Sequence, residues 1–392
     1  MKIERIAVYG LDLPFKDGAY RCRNRTETGM SSTVVEIATD AGLTGWGEVA
    51  PLGAFYSEAF AEGVRAGLKV LAPELLGADP RETDKLVRVM DAAMAGQMDV
   101  KTPLDMALWD LAGKAAGLPL AECLGGRDGG DVALYRSLSQ DEPGAMLESA
   151  RRYLKAGYRR LQVKVGGDPL RDAEVLASVV QEAGKDVAIF CDANGAWTSF
   201  DALRFLDATR EFDYALEQPC AAYEANLAVR RRCAKPFVLD ESVDSLEALL
   251  KIRADGAADG VTIKIARFGG ITRARRVRDL AVDFGLMVTV EDIGGAQIDT
   301  AAIAHMSLST PEPHRCHTVD FHNWVAVSNA EGFPAIENGR MTAPDGPGLG
   351  VVPRLEVLGQ PLFEVAARGA VDPHGRPYRR DALNRVSRRR PS

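Results

Sequence analysis

No stretch of this chain approaches the roughly 18 uninterrupted apolar residues of a membrane-crossing helix, which excludes a helical span. Its start, MKIERIAVYGLDLPF, lacks the apolar core of a signal peptide and points to a cytoplasmic protein. Cysteine is sparse: Cys22, Cys123, Cys191, Cys220, Cys233 and Cys316 show no CxxC or finger-like spacing. They read as reduced, mostly buried fillers, although Cys191 and Cys220 stand close to carboxylates discussed below. Histidine is scarce as well, with five in all. His305 lies in an apolar helical stretch, and His314, His317 and His322 cluster without a metal-ligand frame, so these four read as structural. No GxSxG elbow, P-loop or GxGxxG turn occurs, and Gly45-Trp46-Gly47 is no substitute for the last. A basic excess is also missing: the net charge of −7 argues against nucleic acid as the main partner.

What is present is an enzyme-sized balance, 392 residues with 46% apolar and 26% charged. That length suggests two domains or one large barrel with attachments. Residues 1–130 combine strand-like alternation (MKIERIAVYGLDL, STVVEIATDAG) with helical spacing over Ser57 to Leu76 and Pro103 to Ala116. In the second helical stretch Leu104, Ala107, Leu108, Leu111 and Ala112 share a face. Lys16 to Met30 reads as a long loop, and the whole as an α+β domain. Over residues 131–330, short apolar runs (ALYRSL, LQVKV, AIFCD, YALEQ, FVLDE, VTIKI, LMVTVED, HTVDF) alternate with amphipathic helical patterns. Eight such runs predict a closed parallel barrel; a doubly wound open sheet is the structural alternative. Residues 366–392 form a basic tail, with seven arginines from Val371 onward, read as a solvated end.

The chemistry lies in what ends each predicted strand. Lys164, Asp192, Glu217, Asp240, Lys264 and Glu291-Asp292 succeed one another at intervals of 28, 25, 23, 24 and 27 residues. Each interval fits one βα unit, so these charges converge on the C-terminal mouth of a barrel. Asp192, Glu217 and Asp240 come from consecutive strands and would repel one another without a cation. An all-oxygen set favours a hard ion such as Mg²⁺. Lys164 and Lys264 sit in apolar strands on either side of that trio, where burial is expected to lower their pKa and make one a general base. Separate ion pairs between these lysines and carboxylates are the plainer alternative.

These residues carry a resemblance. TGWGEVAP (44–51), LDMALWDLAGKAAGLPL (104–120), DANGAW (192–197), EQPC (217–220) and LDES (239–242) are similar to motifs of the enolase superfamily, in its muconate-lactonizing and mandelate-racemase-like branch. The resemblance spans about residues 1–365. It implies an α+β cap over a modified (β/α)7β TIM barrel, with residues 331–365 returning to the cap, and a homo-oligomeric assembly. It also implies Asp192, Glu217 and Asp240 as Mg²⁺ ligands and Lys164 and Lys264 as the acid/base pair, acting on a small amino-acid-like carboxylate. Where the family often has KxK, this chain has Gln162 before Lys164. LYRSLSQ (134–140), LQVKVGGDP (161–169), IKIARFGG (263–270) and TAAIAHMSLSTP (300–311) look like the cis-3-hydroxy-L-proline dehydratases of that branch. Relatives with similar motifs epimerise proline betaines at C2, and a non-catalytic scaffold barrel is the remote alternative. Near the seventh strand a Trp-Gly-Gly-Asp run of these relatives is replaced, Gly294 standing for the tryptophan and Gln297 for the aspartate. Tyr56, Gln162, Asn194, Asp292 and Trp324 are the candidates for substrate contact, Trp324 by offering an aromatic face to a cation.

Overall fold

The computed structural model describes residues 1–22 and 25–367. Of the basic tail, residues 368–392 lie outside the described residues. In the N-terminal region a long strand β1 (Ile3–Pro14) is followed by a short hairpin, β2 (Tyr20–Cys22) and β3 (Arg25–Glu27). Tyr20 pairs with Glu27 and Cys22 with Arg25. The segment expected to be a plain loop therefore carries paired backbone, and it folds over the barrel mouth. β4 (Gly29–Thr39) pairs antiparallel with β1, and β5 (Thr44–Val49) with β4.

Helices α1 (Ala61–Leu71), α2 (Thr83–Ala93) and α3 (Met98–Ala116) pack behind this sheet. The single apolar face foreseen for α3 understates it. Asp99 to Leu111 is buried throughout, because α3 lies between β5 on one side and the barrel on the other. That closeness explains the glycines of the GWG motif. A Cβ on Gly47 would stand 2.0 Å from the Pro103 carbonyl oxygen, and one on Gly45 2.3 Å from that of Ala107. Side chains at those positions would push helix and strand apart.

After α4 (Leu120–Cys123) and the short β6 (Val132–Ala133) the chain enters the barrel. Its strands are β7 (Arg136–Leu138), β8 (Arg160–Lys164), β9 (Ala188–Asp192), β10 (Ala215–Glu217), β11 (Phe237–Leu239), β12 (Gly260–Lys264), β13 (Met287–Glu291) and β14 (Arg315–Thr318). All neighbouring pairs are parallel and follow chain order. The ring closes beside β7, where Leu134 bridges Thr318 and the Tyr135 N–H donates to the Thr318 carbonyl at 3.0 Å. No open doubly wound sheet is formed.

Seven helices connect these strands, α5 (Pro143–Lys155) through α11 (Gln297–Leu308). Several are capped as their sequences suggest. Asp168 accepts from the N–H groups of Leu170 and Arg171, Thr198 from Asp201, and Ser245 from Ala248. Beyond β14, two-residue strands β15 (Ala330–Glu331), β16 (Arg340–Met341) and β17 (Val352–Pro353) form small ladders. The last strand, β18 (Phe363–Ala366), pairs antiparallel with β1, Val8 opposite Phe363.

Candidate active site

Strand register builds the site. Lys164 is the register partner of Asp192, Asp192 of Glu217, and Lys264 of Glu291. Asp240 directly follows β11. Parallel ladders thus set these side chains at one level of the ring, and all are buried. Two backbone irregularities follow the strand ends: Asn194 and Gln218 adopt positive φ values of 45° and 36°. Such conformations are costly for non-glycine residues and cluster at working sites. The Asn194 turn lets its own N–H donate to Asp192 Oδ1 at 2.7 Å.

Lys164 and Lys264 line the same pocket, together with Asp192, Asp240, Glu291, Gln162, Tyr56, Tyr135 and, from the hairpin, Tyr20 and Cys22. Lys164 Nζ donates to Asp192 Oδ2 and, at 3.0 Å, to Asn194 Oδ1. Lys264 Nζ donates to Glu291 and lies 3.1 Å from Asp240 Oδ2. Arg267 Nη1 donates to Asp240 Oδ1 at 2.9 Å and to the Asp240 carbonyl at 2.7 Å. Glu217 lies deeper, accepting from Gln162 Nε2 at 2.9 Å and Thr262 Oγ1 at 3.1 Å.

The lysine pKa values move opposite to expectation. Burial works against both ammonium groups, but the carboxylates beside them outweigh it: Asp192 holds Lys164, and Asp240 with Glu291 holds Lys264, well above the usual lysine range. Strand position alone made them buried amines; the tertiary fold paired them. Burial, then repulsion from Asp192 and Asp240, pushes Glu217 well above the usual carboxylate range. Burial also acts to raise Asp240, but Lys264 and Arg267 prevail and hold it at about 2. The three carboxylates are neighbours without being a preformed cage: among the described residues no three Asp, Glu, His or Cys side chains already converge on one point. Each of the three is tied to its own donors. Their chemistry still suits a hard divalent cation, since all three are buried carboxylates that offer only oxygen.

The remaining candidates separate. Tyr56 lines the pocket and its hydroxyl donates to Asp240 Oδ2 at 3.3 Å. Gln162 is buried and spends its amide on Glu217. Asn194 is absent from the pocket wall and orients Lys164 instead, its Nδ2 donating to Glu241 Oε1 at 3.1 Å. Asp292 reaches the wall, but its carboxylate accepts from the Ala266 and Ile293 N–H groups. Trp324 also lines the pocket; the cation over its ring is internal, the Arg136 guanidinium at 4.9 Å, and its Nε1 donates to Asp320. Glu291, Tyr135 and Arg267 escaped the sequence reading as individual contacts. Glu291 carries a signal in the sequence, since it ends β13 in phase with the other charges.

The other sequence candidates are quiet. Burial keeps Cys191 protonated and pushes Cys220 up to about 11, so neither is a thiolate near neutral pH. His305 accepts from the Ala121 N–H and meets the Leu349 carbonyl, while His317 packs on Tyr135 and Phe190.

Two family models match the chain: the mandelate racemase/muconate lactonizing enzyme N-terminal domain over residues 21–125, and the enolase C-terminal domain-like family over residues 145–357. The chain belongs to the enolase superfamily, in its mandelate racemase/muconate lactonizing group, and is an enzyme of that superfamily. Among its relatives, it is 44% identical to a cis-3-hydroxy-L-proline dehydratase of Roseibium aggregatum over 92% of this chain and 99% of that one. A hydrophobic dipeptide epimerase of Enterococcus faecalis is 29% identical over 73% of this chain and 81% of its own. A mandelate racemase/muconate lactonizing enzyme structure from Roseovarius nubinhibens ISM, complexed with magnesium, superposes with a TM-score of 0.91 at 36% identity, covering 93% of this chain and all of that one. No described helix is long and apolar enough to cross a membrane.

Proposed function

We propose that this chain is an Mg²⁺-dependent dehydratase of a hydroxyproline-type amino acid, with cis-3-hydroxy-L-proline as substrate. One observation carries the reading: two buried lysines share a pocket with strand-end carboxylates, in a chain 44% identical to a dehydratase of that substrate. On this reading residues 1–130 are the cap, 131–330 the catalytic barrel and 331–365 the segment that returns to the cap.

Asp192, Glu217 and Asp240 would hold the cation. Bound there, Mg²⁺ supplies counter-charge that loosens the carboxylates' grip on the lysine ammonium groups, and stabilises charge that builds on the substrate carboxylate. One lysine amine takes the α-proton, leaving its bonding pair to form the C2–C3 double bond as the C3–O bond breaks. The opposite ammonium gives its proton to the departing hydroxyl, which leaves as water. The resulting enamine tautomerises to the cyclic imine, pyrroline-2-carboxylate. Tyr56 and the hairpin residues Tyr20 and Cys22 cover the pocket from the cap side and limit the water that reaches it.

A second reading is favoured by the lysine pair itself. Two amines lining one pocket also suit proton removal from one face of C2 and return to the other, as in a racemase or 2-epimerase of proline betaines or other cyclic amino acids. Turnover of cis-3-hydroxy-L-proline in ²H₂O separates the two. The dehydratase gives an imine trapped by o-aminobenzaldehyde. Recovery of inverted, C2-deuterated substrate with no trapped imine overturns that reading and leaves the epimerase.

A further inference from the structure

Part of the lysine pocket's wall is aliphatic: Met30 and Leu52 come from the N-terminal region, and Ile293 from the segment after β13. Met30 belongs to β4 and stands opposite Leu13 of β1, so the sheet fixes its Cα. It is 6% exposed, and its side chain ends on the barrel residue Gly294. A Cβ built on that glycine would stand 2.1 Å from Met30 Sδ, 2.8 Å from its Cε and 3.0 Å from the Ala50 carbonyl oxygen. Non-bonded heavy atoms settle at about 3.5–4.0 Å, so the thioether and a side chain at 294 exclude each other. Backbone conformation gives no reason for the glycine, since its φ is not positive. Gly294 is there for space, and Met30 fills it.

We propose that Met30 is a specificity-determining residue, whose side-chain length sets the size of ring the pocket admits, and that Gly294 is the positioning residue that makes room for it. Methionine is unbranched, so its far end can move while the sheet holds its Cα. Trimming it to alanine removes the atoms beyond Cβ and widens the pocket. A Cβ at Gly294 works the other way. It pushes the thioether off the barrel, and the open space beside Met30 is the pocket, its other neighbours being packed core. The proposal rests on the cyclic amino-acid substrate proposed above, but not on whether the lysines dehydrate or epimerise it.

The test uses L-proline and L-pipecolate, which differ by one ring methylene, as competitive inhibitors of C2 proton exchange from cis-3-hydroxy-L-proline by the full-length enzyme with Mg²⁺. The readout is the ratio of the pipecolate to the proline inhibition constant. Met30→Ala is expected to lower that ratio about tenfold, the scale of one methylene in an apolar pocket. Met30→Leu, of similar volume, is expected to keep it within about threefold of the wild type. Gly294→Ala is expected to raise it about fivefold by crowding the pocket, and adding Met30→Ala to that variant is expected to abolish the rise. A purely structural role for Met30 would weaken both inhibitors alike. An unmoved ratio in Met30→Ala therefore overturns the proposal, as does a Gly294→Ala effect that survives in the double variant. Should Met30→Ala fail to fold, Met30→Val carries the same expectation at smaller size. Absence of any C2 exchange in the wild type is a separate result, which removes the proposed substrate and this proposal with it.

Discussion

The two lysines face one pocket from unlike surroundings. Lys164 has one carboxylate partner, Asp192, and a neutral one, the Asn194 amide. Lys264 lies between Asp240 and Glu291, with Tyr135 donating to Glu291 at 2.8 Å and Arg267 held on Asp240. If Asp192 and Asp240 serve a cation, Lys164 keeps only its amide while Lys264 still keeps a carboxylate. The difference suits Lys164 to the base's task on the proposed reaction and Lys264 to the acid's, since an adjoining anion favours the protonated amine. A pseudo-symmetric ring can thus give two identical residues opposite duties through one neighbour each.

The largest effects should come from the lysines themselves. Lys164→Ala and Lys264→Ala are each expected to lower kcat for imine formation by roughly 10³-fold. Near-normal turnover in either would end the two-sided scheme. Next, Asp240→Asn should weaken Mg²⁺ binding by roughly a hundredfold in a metal titration, the upper range for groups that support a metal site. An unaltered titration would remove Asp240 from the ligand set.

Glu291→Gln sharpens the asymmetry and should cost roughly tenfold in kcat. Its sign in a pH profile is specific. Glu291 favours the Lys264 ammonium, so its loss lowers that pKa. If Lys264 must be protonated, the alkaline limb of activity moves to lower pH. Movement of the acid limb instead would make Lys264 the base. The smallest effect is expected from Asn194→Ala, about threefold in kcat for one lost hydrogen bond, with little change in metal affinity. A drop as large as that of Lys164→Ala would show that the amide does more than orient the amine.

Much of this was legible along the chain. The even spacing from Lys164 to Glu291 exists because each βα unit uses a similar number of residues, and parallel register turns that spacing into adjacency. The hairpin over the mouth was not legible. Tyr20–Cys22 and Arg25–Glu27 are three-residue strands, too short to leave a periodic signal. Arg136 over Trp324 was equally hidden, because β7 and the segment after β14 meet only when the ring closes. The partner of Asn194 was not legible either: its backbone is left-handed and its side-chain oxygen accepts from Lys164, 30 residues earlier in the chain.

The alternation of strands and helices and the run of charges at strand ends were determined by the sequence itself, since they follow from local periodicity. The pairing of each lysine with its carboxylates, one for Lys164 and two for Lys264, was decided only by the tertiary structure. A buried ionisable group takes its charge state from the partners that the fold brings within hydrogen-bonding distance, and these stand tens of residues away along the chain.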